Sequence, residues 1–555
     1  MLAELSIDQA LMKAKSHVKK DEKIEAKKIY QEILQSFPKN LRAQQALDSL
    51  NRIRQNNFTA IPPQKLINKL VHLYNQRYFS VVVELAQDIT YQYPEIIDVW
   101  NILGASAAQI GRLDKSIEAY KMAISLKPDY AEAYGNMASA LKNQGKLEQA
   151  IEACNKAILI KPDYAEAYNT MGNALNDQGK LDKSVEVYNK AVAIKPDYAE
   201  AYSNLGTALQ EQGELDKAIE AYNKAILLKP DYAEAHQNLG FAFLKTGKKL
   251  KEGLDEYEWR WKQTNRSSVP RYFLKPIWDR KKSLKDKRIL LWSEQGIGDI
   301  INWSSCLSLI SSQSKHCILE CPEKLVPLLE RSFPNIEVKA ENKNLDRDRK
   351  DFDFHLPMGS LYKNFIEEIS ENNNPKAFLV PNPVRVRFWK KRLNALGKGP
   401  YIGISWKSSN MSPKRLRNYC QISDLEPIIT LPNVTIVNLQ YVNFQDDLNK
   451  ILHELGIPIH NFYDLDHYNN IDDVAALCSA LDIVITTKSI VPLISAGVGT
   501  LTKLANWRQS PWNNILHNPI GSSVHIYERD TWESWDNVFN LITEDVLKQT
   551  KNWSK

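Results

Sequence analysis

The sequence predicts an α-helical repeat array followed by an α/β region built as two Rossmann-like lobes, and three observations carry that reading. Prolines stand at positions 94, 128, 162, 196 and 230, a period of 34 residues. From Arg288 onward, short apolar runs alternate with amphipathic segments. The stretch Arg288 to Trp303, R-I-L-L-W-S-E-Q-G-I-G-D-I-I-N-W, reads as strand, tight loop and helix.

The repeats come first in the chain. The segment P-D-Y-A-E-A-Y begins at Pro128, Pro162 and Pro196, and the residues between these copies are themselves near copies. A 34-residue period of this kind resembles the tetratricopeptide repeat, which has two antiparallel helices per unit. Counting from Ala131, the spacing turns Tyr134, Met137, Ala138 and Leu141 inward on the first helix, and Ala150, Cys154 and Ala157 on the second. Gly104, Ala138, Gly172, Gly206 and Gly240 fall where paired helices approach closely, so a large side chain there overpacks at ~1–3 kcal/mol. Gly111, Gly145, Gly179 and Gly213 terminate the first helices, and a proline closes each second one. The pattern is clean from about 98 to 247 and looser over 5–38 and 63–94. Between the loose copies, 51–63 breaks the period and reads as a linker or cap.

A repeat array presents a concave surface lined by its first helices. The sixth position of successive units carries Asn136, Thr170, Asn204 and Asn238. An asparagine amide offers both donor and acceptor, so a ladder of them can hold the backbone of an extended polypeptide without reading its sequence. This ladder resembles the one in the repeats of O-linked N-acetylglucosamine transferases, although asparagine is common at this position of tetratricopeptide repeats in general.

After the last repeat, which carries one extra residue, Trp259 and Trp261 are expected to cap the array. The polar, proline-bearing segment 263–287 then leads into the first strand. The expected strands are 289–292, 317–320, 352–356, 401–406, 434–439, 483–486 and 500–505. The expected helices are 325–330, 384–396, 423–430, 446–455, 471–480 and 491–498. Alternation of this kind builds mainly parallel sheets, and ligands bind such sheets at the C-terminal ends of the strands. The division of the chain is therefore 1–55, a divergent helical repeat or cap; 56–262, the array; 263–287, a linker; 288–397, the first lobe; and 398–555, the second.

The turn after the first strand carries Gly296 and Gly298. A glycine-containing turn that opens a helix brings backbone N–H groups and a helix dipole to one point, which suits an anion. It is not a dinucleotide or P-loop fingerprint, since Ile301 replaces the third glycine and no G-K-[ST] follows. Asp299 opens the helix, either as an N-cap or as a carboxylate at the lip of a cleft.

Five stretches together look like a known region: W-S-E-Q-G-I-G-D-I-I-N-W, F-D-F-H-L-P-M-G-S-L, Y-I-G-I-S-W-K-S-S-N, V-N-L-Q, and L-D-I-V-I-T-T-K-S-I-V-P-L-I-S-A-G-V-G. They resemble the C-terminal region of bacterial tetratricopeptide proteins with a glycosyltransferase-like domain, itself similar to heptosyltransferases and other GT-B enzymes, over about 253–512. The resemblance implies a GT-B fold and a metal-independent transferase that uses a nucleotide sugar as substrate, with no cofactor. It implies Asp299 as general base. It implies a donor site of Gln295, Gly296, Gly298, Trp406, Lys407, Ser408, Lys414, Gln440, Lys488 and Ser489, with Arg415 a further cation on the second lobe's loop. The chain departs from the family in two polar groups: Lys488 stands for an aspartate and Leu493 for a histidine. The D-x-x-R-S motif is also absent where Arg415 to Tyr419 align. These departures keep a second reading open, a non-catalytic scaffold whose degenerate lobes bind a partner.

Composition narrows the classes further. Lys plus Arg number 72 against 66 for Asp plus Glu, a net charge of +6 spread along 555 residues. Without a basic stripe interleaved with aromatics, a nucleic-acid partner is not expected. The six cysteines show no paired C-x-x-C spacing and read as reduced core residues. Neither a signal-peptide run nor an apolar stretch long enough to span a bilayer is present, so the expected location is the cytoplasm.

Overall fold

The computed structural model describes residues 7–19, 23–37, 40–47, 63–263, 270–342, 347–371, 377–409, 416, 418–507, 523–529 and 533–553. The chain forms two compact units, 1–178 and 179–555. The break in period expected at 51–63 lies outside the described residues except for Pro63.

The first unit is made of helix pairs: Ile7–Lys19 with Lys23–Ser36, Pro63–Asn75 with Phe79–Gln92, Ile97–Gln109 with Leu113–Leu126, and Ala131–Asn143 with Leu147–Ile160, followed by Ala165–Asp177. Ala138, Leu141, Ala150, Cys154 and Ala157 are buried as the spacing requires, whereas Tyr134 and Met137 are half-buried. Gly111 and Gly145 end their helices with φ of 73° and 78°, the left-handed conformation a glycine adopts without steric cost. At Gly104 an added Cβ would lie 2.8 Å from the Tyr120 ring. One repeat later, Ala138 is matched by Cys154, and both are buried in one cluster. Small and large side chains thus trade places across the helix pair.

The second unit opens with more of the same helices: Leu181–Ile194, Ala199–Gln212 with Leu215–Leu228, and Ala233–Thr246 with Leu250–Tyr257. Gly206 faces Tyr222 as Gly104 faces Tyr120, an added Cβ lying 2.7 Å from the ring. Trp259 does cap the last repeat, stacking on His236 with ring centroids 3.7 Å apart. Trp261 instead packs against Trp292, 5.7 Å between centroids, in the first strand of the α/β region.

That region holds two parallel sheets. The first runs β3(Ile336–Ala340)-β2(His316–Cys321)-β1(Arg288–Trp292)-β4(Phe354–Pro357). The second runs β6(Thr435–Asn438)-β5(Tyr401–Ser405)-β7(Ile483–Thr486)-β8(Leu501–Trp507)-β9(Val524–Arg529). Central strands buried on both faces read as continuous apolar runs, and β1 and β7 do so. β3 and β9, at sheet edges, and the closing helix Asp536–Trp553 were not legible in that way. One apolar core joins Leu244 and Leu254 of the last repeat to β1, β2 and β4 and to the helix Ile471–Ala480. A second core fills the space between β5, β7 and Asp536–Trp553.

The segment ahead of β1 is fastened to the first sheet. Trp278 is 3% exposed, Ile277 bridges to His355 in parallel, and Arg271 pairs with Glu320 at 2.6 Å.

Candidate functional site

The turns that leave β1, β2, β5, β6 and β7 converge on one cleft of about 640 Å³, where a parallel sheet places its ligands. From the first sheet come Gln295, Gly296, Ile297, Gly298 and Asp299, with Lys324 after β2. From the second come Ser408, Ser409, Asn418, Tyr419 and Tyr441, then His467, Tyr468 and Ile471, and finally Lys488, Ser489, Ile490 and Leu493.

The β1 turn is held by its own sequence. Gly296 is the N-cap of the helix Ile297–Ser304, with φ −68° and ψ 163° and no side-chain cap bond. Asp299 therefore sits in the first turn rather than at the N-cap. Its carboxylate lies close over the turn, since a Cβ on Gly296 would be 3.5 Å from Asp299 Oδ2. Gly298 is squeezed from across the cleft: a Cβ there would stand 3.3 Å from Leu493 Cδ1. The two walls meet at that point, one from each sheet.

On the second sheet the expected site residues divide into two sets. Ser408 lines the cleft and accepts a hydrogen bond from the Tyr441 hydroxyl at 2.9 Å. Lys488 and Ser489 also line it, and Ser489 Oγ accepts from the Val491 N–H at 3.2 Å. Trp406, Lys407 and Gln440 stand behind this wall. Gln440 is fully buried, and its Oε1 accepts from the N–H groups of Trp406 and Lys407, both at 3.1 Å, and from Ser405 Oγ at 3.2 Å. Trp406 Nε1 and Lys407 Nζ both donate to Asp447 Oδ2, at 2.9 and 2.6 Å. These three residues shape the loop that presents Ser408. Lys414 and Arg415 lie outside the described residues.

Sequence reasoning passed over Lys324, Tyr419, Tyr441, His467 and Tyr468. Lys324 donates to the Tyr468 carbonyl at 3.0 Å and sits 4.1 Å from the centroid of its ring, tying the turn after β2 to the second lobe. Burial holds the His467 imidazole below its ordinary pKa and pushes the Tyr441 hydroxyl above its own. The signal for Tyr441 was its place directly after V-N-L-Q, at the end of a strand. Among the described lining residues the charges are one carboxylate, Asp299, and two ammonium groups, Lys324 and Lys488. With the hydroxyls around them, they suit a polar anionic ligand of small-molecule size.

The positions of the expected groove differ from one another. Asn136, Thr170, Asn204 and Asn238 are all half-buried. The Thr170 hydroxyl donates to the Glu166 carbonyl at 3.0 Å, so its proton is used within its own helix.

The family model described as TPR repeat matches residues 106–145, 172–213 and 209–247, and the one described as tetratricopeptide repeat matches 131–164. The chain thus carries tetratricopeptide repeats in its N-terminal region, a protein-binding architecture. Protein FlbA of Caulobacter vibrioides is 29% identical over 307 residues, covering 51% of this chain and 50% of FlbA. The chain therefore spans about half the length of that relative. Similar solved structures include MamA, 30% identical over 28% of this chain and 91% of MamA at a TM-score of 0.26. They also include the Thermus thermophilus protein TTC0263, 23% identical over 33% of this chain and 98% of that one, TM-score 0.30. A third is YrrB, a repeat protein described as having an unusual peptide-binding site, 17% identical over 32% and 91%, TM-score 0.26. No described helix is long and apolar enough to cross a membrane.

Proposed function

We propose that the chain is a GT-B glycosyltransferase that moves a sugar from a nucleotide-sugar donor to an acceptor, protein or glycan, recruited by the repeats. The observation that carries this reading is the cleft, where Asp299 on the first sheet's turn and Ser408, Lys488 and Ser489 on the second sheet's turns line one cavity. In this reading the acceptor hydroxyl oxygen attacks the anomeric carbon while Asp299 takes the hydroxyl proton. The bond from that carbon to the diphosphate breaks, and the diphosphate leaves with the electron pair. Lys488 offsets the charge that develops on it, as a preorganised cation does in a cleft. Trp406, Lys407 and Gln440 act as supports of the donor loop. The repeats at 56–262 form the recruiting part, 263–287 the connection, and 288–397 and 398–555 the two catalytic lobes.

The test begins with wild-type protein in a thermal-shift screen across UDP-, GDP-, ADP- and CMP-sugars, and one of them is expected to raise the melting temperature. With the donor found, Asp299→Asn is expected to lower transfer by ~10²-fold or more with donor affinity little changed, the mark of a group that acts in the transition state. A wild-type chain that neither binds nor hydrolyses any nucleotide sugar sinks the reading.

One observation favours a scaffold instead: Leu493, at the place where the resemblance implies a histidine, puts an apolar side chain in the cleft against Gly298. On that reading the lobes bind a partner without turnover, and Asp299→Asn is silent.

A further inference from the structure

The last repeat does more than end the array, because two of its residues reach into the turn that forms the cleft's first wall. Gln295 Nε2, on the cleft lining, donates to the Tyr257 hydroxyl at 2.6 Å. Tyr257 is 2% exposed and closes the helix Leu250–Tyr257. Three residues on, Arg260 is 5% exposed, and its Nη2 donates to Glu294 Oε1 at 2.9 Å and to Ser360 Oγ at 3.1 Å. Its Nη1 reaches Glu258 Oε1 at 2.5 Å, and Ser360 Oγ donates to Glu258 Oε2 at 2.9 Å. The guanidinium lies over the rings of Tyr257 and Trp261, 4.5 and 4.7 Å from their centroids. Glu294 directly precedes Gln295, its side chain has no exposure, and Gly359 is the only residue type that fits beside it, since a Cβ there would fall 1.9 Å from Glu294 Oε1. Burial lifts the Glu294 carboxyl to about 7 against the pull of Arg260, so this group depends on its buried partner for a charge.

We propose that Tyr257 and Arg260, contributed by the end of the repeat array, are positioning residues for the cleft, holding the Glu294–Asp299 turn in the geometry in which Asp299 meets its ligand. The part of this that concerns ligand rests on the cleft being a donor and acceptor site. The part that concerns the turn does not. The array is then a structural component of the site as well as a means of recruitment, because side chains of the last repeat help to hold the turn that presents Asp299.

Tyr257→Phe removes one oxygen and leaves the buried ring, so it tests the bond with little disturbance of the core. In the full chain, hydrogen exchange over 293–303 is expected to quicken about tenfold, with exchange in the helices Ala199–Gln212 and Ile471–Ala480 unchanged. Arg260→Lys, which keeps the charge but loses the fork, is expected to act on the same segment. With a nucleotide sugar identified in the screen, Tyr257→Phe is expected to lower kcat about tenfold while KM stays within twofold, a split that general loss of fold does not give. Unaltered exchange over 293–303 in both variants, or an equal rise along the whole chain, overturns the proposal. If no nucleotide sugar binds, the sugar-transfer reading fails by itself, and the exchange result still decides whether the last repeat positions the turn.

Discussion

Single residues in this chain answer to burial first. His355 is 3% exposed, accepts from Trp292 Nε1 at 3.2 Å through Nδ1, and is held by burial at a pKa of about 4. The unfolded chain takes up that proton near pH 6.5, so the native state gains from a neutral His355 above that pH and loses the gain as pH falls towards 4. The difference is on the order of 3 kcal/mol. Urea unfolding at pH 7 and pH 4.5 is expected to show His355→Gln losing about 2 kcal/mol less than wild type between the two conditions. Lys488 belongs to the opposite case, a cation at the lip of a cleft. If its ammonium meets a diphosphate, Lys488→Ala weakens donor binding at low salt, and the gap between variant and wild type closes as ionic strength rises. Titration of the identified nucleotide sugar at two salt concentrations checks it; equal weakening at both would assign Lys488 a packing role.

At the scale of the element, the helix pair is held by matched sizes. Gly206 meets Tyr222, and at the same two positions one unit has Ala138 and Cys154, buried in one cluster. Gly206→Ala is expected to cost ~1–3 kcal/mol by overpacking. Made in a Tyr222→Cys background, the same change is expected to cost less, a coupling that a double-mutant cycle measures as a non-additive term. The groove is tested by Asn136, Asn204 and Asn238 changed together to Ala, which is expected to weaken capture of a polypeptide partner with helix content by circular dichroism unchanged. Unaltered capture would leave these side chains with no part in binding. The repeat helices were legible because a period of 34 residues states where each begins, and glycine and proline state where each ends. The edge strands β3 and β9 were not: I-E-V-K-A and V-H-I-Y-E-R alternate polar with apolar residues over a handful of positions, too few to separate a half-buried strand from a loop.

For the whole molecule, the cleft's location was readable from strand and helix alternation, and the turn at Gln295 to Asp299 from its glycines. His467 and Tyr468 were not, because they reach the cleft only once the second sheet has folded and carry no local pattern of their own; Tyr441 had only its place after V-N-L-Q. The tie between Arg260 and Glu294, 34 residues apart in sequence, was equally invisible: a buried ion pair across two architectures leaves no periodic trace. It has a consequence for how the chain can be divided. A fragment starting at residue 179 retains Leu244, Leu254, Arg260 and Trp278, whereas one starting at 288 removes Arg260 from beside Glu294, with the rings of Tyr257 and Trp261 that flank its guanidinium, and opens the core beside β1. The longer fragment is expected to unfold cooperatively in urea, and the shorter one at lower denaturant or not as a single transition. Equal midpoints would show that the lobes stand alone.

The size matching inside each helix pair also bears on heredity. Each matched couple, Gly104 with Tyr120, Ala138 with Cys154 and Gly206 with Tyr222, lies within a single 34-residue unit. Near-identical neighbouring copies invite unequal crossing-over. A crossover in the proline-bearing loops duplicates or deletes couples intact, so the array can lengthen or shorten by whole units. A crossover at the glycine turn within a unit sets Ala138 against a tyrosine or a glycine against Cys154, and selection against the resulting clash or void keeps the register of the array.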